Sequence, residues 1–136
     1  MNQAKVEHVE ESYLTKPLVT ETTITLEEKP KIKGNHQFPW GYCTYWVSTK
    51  RDIPWSGNAN QWLTNAPKYG FETGSEPQVG AIVQTNENPI LGHVAYVESV
   101  GEHSITVSEM NYLGWGFAST RTLNQDSPVI KGYIYE

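Results

Sequence analysis

Three side chains, Cys43, His93 and Glu109, could together carry out nucleophilic chemistry. Cys43 is the single cysteine of the chain. It can form no internal disulfide and no multi-thiolate zinc site, which leaves a buried apolar thiol, an incidental surface thiol or a nucleophile. It lies in Gly41-Tyr42-Cys43-Thr44-Tyr45-Trp46-Val47, after an irregular stretch containing Pro39 and at the start of a helix-like segment. In a first helical turn, unclaimed backbone N–H groups and the macrodipole favour a thiolate. His93 and Glu109 flank residue 101 symmetrically. If 101 lies in a hairpin turn, the two face each other across the ladder, give or take a residue of register, with Cβ atoms roughly 4.5–5.5 Å apart. An imidazole there can take the thiol proton and later deliver it to a leaving amine. Its second nitrogen needs an acceptor, which Glu109 or Asn111 can supply. The backbone N–H of Cys43 is a natural oxyanion donor, and Gln37 or Tyr42 is a candidate for the second.

These residues require a scaffold, and the pattern around them supplies one. Residues 40–50 read as a first helix, with Tyr42, Tyr45, Trp46 and Thr49 at helical spacing. Asn58 can cap a second helix over 59–69, whose apolar stripe is Ala59, Trp62, Leu63 and Ala66. Pro67 should end its regular part near Ala66. A short extended piece surrounds Phe71. Strands are expected over 80–84, 92–100, 104–111 and 129–135, with turns over 86–89 and 101–103. Helices followed by antiparallel strands define an α+β fold. On the two central strands, His93, Ala95 and Val97 share one side, and Ile105, Val107, Glu109 and Asn111 share one side. That side should face the core, with the His–Glu pair at its open end.

Composition narrows the classes. The chain of 136 residues fits one domain. Its net charge is −5 with 10 Lys and Arg, so no basic stripe exists for a nucleic-acid backbone. No apolar run is long enough to span a membrane. Residues 1–8 are charged and lack the apolar centre of a secretion signal. All aromatic residues except Tyr13 fall at position 38 or later. Residues 1–35 therefore read as a linker or flexible arm, in which residues 20–26 alternate well enough to add an edge strand, and 36–136 as the packed domain.

Plainer readings stand beside these. A cysteine among aromatic residues is more often core than catalyst; the His93–Glu109 pairing tips the balance toward a nucleophile. Asn111 fits the start of a turn nearly as well as a catalytic role. Core packing is the default for tryptophan and the better reading of Trp62. Trp55 and Trp115 lie in glycine-rich loops and, with Tyr42, are candidates for binding substrate in a cleft.

The pieces Gly41-Tyr42-Cys43-Thr44-Tyr45-Trp46-Val47, Pro77-Gln78-Val79-Gly80-Ala81-Ile82, Gly92-His93-Val94-Ala95-Tyr96-Val97-Glu98 and Ser108-Glu109-Met110-Asn111 resemble, in order and spacing, the CHAP family of cysteine, histidine-dependent amidohydrolases/peptidases. The resemblance covers about residues 36–136. It implies a papain-like fold and cleavage of an amide bond in peptidoglycan, either N-acetylmuramoyl-L-alanine or a peptide cross-bridge. It further implies Cys43 as nucleophile, His93 as base, Glu109 as the third residue and Asn111 as the polar residue after it. No cofactor is implied. Tyr42 stands where the family frequently has Gln. Residues 35–40 lack the carboxylates with which some members bind calcium, so no metal is expected. The expected setting is extracellular, cell-wall associated or virion-borne, as a monomer tethered to further domains through residues 1–35. Two rival readings are a non-catalytic wall-binding module of the same fold and a cysteine hydrolase or transferase acting on other amides.

Overall fold

The computed structural model describes residues 37–136 and the strand Thr23–Thr25. The first helix, α1, spans Cys43–Lys50. It starts three residues later than the periodicity suggests, because Gly41 has φ +107° and cannot continue a helix. Cys43 is thus its first residue. The second helical segment is broken into a 3₁₀ turn Ala59–Gln61, a short helix α2 over Trp62–Asn65 and another 3₁₀ turn Ala66–Tyr69. Pro67 sets the last break, as expected, and the Asn58 N–H donates to Gln61 Oε1 at 2.8 Å.

Seven strands form one antiparallel sheet among the described residues. They are β1 (Thr23–Thr25), β2 (Thr73–Gly74), β3 (Ile82–Thr85), β4 (His93–Val100), β5 (Ser104–Met110), β6 (Ala118–Asn124) and β7 (Ile130–Ile134), ordered β1-β6-β5-β4-β3-β7-β2. The α+β architecture agrees with the sequence reading, and residues 23–25 pair with β6 as an edge strand. The remainder of the expected 1–35 arm lies outside the described residues. β6 was not expected. Its β-branched Thr120 and Thr122 favour a strand, and its alternate residues Ser119, Arg121 and Leu123 are buried.

Both faces of the sheet are covered. Ile82, Val94, Met110 and Ile134 pack with Tyr45, Val47, Trp55 and Trp62 on the helical side. Val83, Ala95, Val97, Ile105, Val107, Leu123 and Tyr133 form a second cluster on the other side. The face shared by His93, Ala95 and Val97 is therefore buried, but it is not the helix-packed one. The indole N–H of Trp46 donates to Ser108 Oγ at 2.9 Å, which donates to Glu98 Oε2 at 2.7 Å. These bonds fix the rotation and height of α1 on β4 and β5.

Candidate active site

Two glycines shape the backbone beside Cys43 and His93. Gly41 sits two residues before the thiol, and a Cβ there would fall inside the indole of Trp115. Gly92, with φ +77°, immediately precedes His93, and a Cβ there would lie 2.6 Å from the backbone nitrogen of Asn60. Each glycine lets a backbone turn sharply against a neighbour, so that α1 starts at Cys43 and β4 at His93 at the same end of the sheet.

There a cleft of about 750 Å³ is lined by Cys43, His93, Asn111 and Tyr42, among others. Cys43 and His93 line it side by side, and His93 Nε2 lies 2.8 Å from Glu109 Oε1. With Nε2 committed to the carboxylate, Nδ1 is the nitrogen left for proton exchange with sulfur. Burial disfavours charging the ring, but the bonds to Cys43 and Glu109 and their charges outweigh it, so the His93 pKa rises to about 9. The backbone N–H of Cys43, at the first helical position, has no acceptor within the helix.

His93 and Glu109 meet as expected, but through a different register. Tyr96 pairs with Ser108 and Val97 with Val107, followed by a bulge before Ser99. Extending that register sets Glu109 beside Ala95, two residues from His93. The imidazole therefore reaches the carboxylate on the diagonal, which a side chain of its length can span. Glu109 is 0% exposed.

Other expected site residues divide. Tyr42 is 43% exposed and lines the cleft. Asn111 also lines it, just beyond the end of β5, in the left-handed region at φ +68°. Its N–H donates to Phe117 O at 3.0 Å, so the turn reading of this residue holds whatever its side chain does. Trp115 is 56% exposed and stands edge-on to Trp40 at 4.8 Å between centroids and 6.5 Å from Tyr42. It backs Tyr42 from outside the cleft lining. Two expectations are corrected. Trp55 is 0% exposed, packed edge-on against Trp62 and Phe71, so it cannot stack on a substrate. Gln37 has its amide nitrogen donating to Ile53 O at 3.1 Å and Trp55 O at 2.7 Å. Both amide hydrogens are used in anchoring that loop, and none remains for an oxyanion.

The sequence reading missed Arg121. It is 5% exposed, and its Nε donates to Glu109 Oε2 at 2.6 Å while its two terminal nitrogens donate to Glu87. The pKa of Glu87 is lowered: burial works against its charge, but the Arg121 bonds dominate. Tyr112, whose ring centroid lies 3.6 Å from the guanidinium carbon, was missed with it. The Ser-Thr-Arg-Thr-Leu alternation at residues 119–123 carried the only available signal.

A family model described as the CHAP domain matches residues 33–111. The chain belongs to this family, a family of peptidoglycan hydrolases. It is 38% identical to the staphylococcal secretory antigen SsaA of Staphylococcus epidermidis over 118 residues, covering 82% of this chain and 45% of that protein. It is 44% identical to the probable autolysin LDP of Staphylococcus aureus over 99 residues, covering 67% of this chain and 34% of that protein. The chain thus spans less than half the length of these relatives. Among solved structures, an N-acetylmuramoyl-L-alanine amidase from Staphylococcus aureus superposes with a TM-score of 0.65 at 26% identity, over 81% of this chain and 35% of that one. The structure of Ly7917 shares the fold, with a TM-score of 0.51 at 23% identity over 59% of this chain and 38% of that one.

Proposed function

We propose that the domain hydrolyses an amide bond of peptidoglycan through a thioester on Cys43. The observation that carries this reading is a thiol and an imidazole lining one open cleft, with the imidazole bonded from behind to a buried carboxylate. His93 takes the thiol proton, and the resulting pair is the reactive form. The thiolate adds to the carbonyl carbon. The oxyanion is met by the Cys43 backbone N–H. His93 returns the proton to the leaving amine as the C–N bond breaks, and the acyl group stays on sulfur. The same imidazole then draws a proton from water, which attacks the thioester and frees the acid. Glu109 holds the ring, and Asn111 and Tyr42 border the space a substrate would fill.

The named activity of the structural neighbour makes the N-acetylmuramoyl-L-alanine bond the first to test, with cross-bridge peptides second. The secretory and autolytic names of the relatives support an extracellular or wall-associated setting. Cys43→Ala should keep the fold and lose wall hydrolysis by several powers of ten. Mass spectrometry of the digested fragments should show which new amine and acid ends appear. Undiminished release of fragments by the alanine variant would sink the proposal.

A further inference from the structure

Glu109 is claimed from both sides. Oε1 meets His93, while Oε2 accepts from Arg121. The far end of the guanidinium is held by a second carboxylate, with Nη1 2.7 Å from Glu87 Oε2 and Nη2 2.6 Å from Glu87 Oε1. Glu87 is itself fixed by Thr85, whose Oγ1 donates to Glu87 Oε1 at 2.8 Å. Thr85 is the cross-strand partner of His93. The chain Thr85–Glu87–Arg121–Glu109–His93 therefore closes into a ring through the β3–β4 pairing, and Tyr112 covers the guanidinium.

We propose that Arg121, anchored by Glu87, is a positioning residue that keeps Glu109 in place through both protonation states of His93. This rests on the hydrolytic reading above, in which His93 alternates between imidazolium and imidazole. While the ring is charged, it balances the buried carboxylate. Once the proton has gone to the leaving amine, that balance vanishes, and a carboxylate shut off from water would be left without a counter-charge. Arg121 does not lose its proton, so it supplies the missing charge at the same distance throughout the cycle. Glu87 offsets the cation in turn; a bare guanidinium so near would oppose the imidazolium. An arginine suits this task because its rigid fork serves two carboxylates at once, which a lysine cannot.

The test uses the wild-type chain with Arg121→Gln, Arg121→Lys and, as a comparator, Arg51→Gln. Arg51 is a second buried arginine that touches none of these groups. Two rates are read at equal folded fraction: turnover of a soluble muramoyl-peptide, and alkylation of Cys43 by iodoacetamide near neutral pH. For Arg121→Gln we expect kcat to fall about 10–100-fold, the range that loss of a hydrogen-bonded outer partner gives for metal-bound ligands. KM should stay within about threefold, and alkylation should slow at least about tenfold, since its rate follows the thiolate. Arg121→Lys should recover part of both rates, and Arg51→Gln should change neither. A folded Arg121→Gln protein with both rates near wild type overturns the proposal. So does a loss that merely tracks the folded fraction, as a purely structural arginine would give. If Arg121→Gln does not fold, Arg121→Lys decides: a drop of threefold or more in both rates supports the proposal, and unchanged rates overturn it. Alkylation needs no wall substrate, so a wild-type protein that cuts neither a muramoyl-peptide nor a cross-bridge peptide would refute the hydrolytic reading while the role of Arg121 is still decided.

Discussion

The two buried arginines sit at opposite ends of the sheet and do different work. Arg51, just after α1, donates to three backbone carbonyls: Gly80 O at 3.1 Å, Ile134 O at 3.0 Å and Tyr135 O at 2.8 Å. It ties the helix to the start of β3 and the end of β7. Arg121 donates to carboxylates instead, at the end where His93 and Cys43 meet. A carbonyl dipole fixes an arginine in space. A carboxylate also carries the opposite charge, so the pair balances charge as well as position. The same side chain is thus a fastener at one end and part of an electrostatic arrangement at the other. Burial alone does not separate the two; the chemistry of the acceptors does.

The contrast can be broken at either end. The largest effect is expected from His93→Ala, which should lower kcat by roughly 10³-fold or more while leaving the Glu109–Arg121 pair intact. Retained turnover would remove imidazole from the mechanism. Next is Glu109→Gln. Loss of the carboxylate removes one cause of the raised His93 pKa. In the wild type, activity should fall as pH rises through about 9, where the imidazolium loses its proton. In Glu109→Gln that alkaline limb should move to lower pH, and an unmoved limb would uncouple Glu109 from His93. At the other end, Arg51→Gln should destabilise the fold by about 1–3 kcal/mol, the usual penalty for a stranded buried acceptor. Denaturant unfolding reads that loss, and the Cys43 alkylation rate of the folded fraction should not change. A variant that alters alkylation without altering stability would reverse the assignment.

The smallest effect is a slope in stability with pH. His93 titrates at about 9 when folded, against an ordinary 6.5. A raised pKa means that the folded protein holds the proton more tightly. The resulting stabilisation is complete below about 6.5 and is lost as pH rises through about 9. Unfolding midpoints measured across that window should decline for the wild type and flatten for His93→Ala.

Much of this was written in the local sequence. The thiol near a helix start follows from the irregular stretch around Pro39 and the helix-like residues after it; that the helix begins at Cys43 rather than at residue 40 was decided by the positive φ of Gly41 in the fold. The partnership of His93 and Glu109 follows from a hairpin turn and strand alternation, both short-range properties. The register did not follow, since the bulge near Val97 is set by twist and packing across the whole sheet. Trp55 shows the same limit from the other side. Its proline- and glycine-flanked loop looks exposed in sequence, yet that loop folds inward and its ring joins Trp62 and Phe71.

Sequence alone determined the candidate residues, their order and most of the elements that carry them, because period and turn chemistry act over a few residues. Only the tertiary structure decided that an arginine from β6 and a glutamate from the 86–89 turn would meet behind the site, 34 positions apart. Charges so distant along the chain carry no local mark of their pairing; the closing of the sheet brings them within reach and away from water, where their attraction is strong.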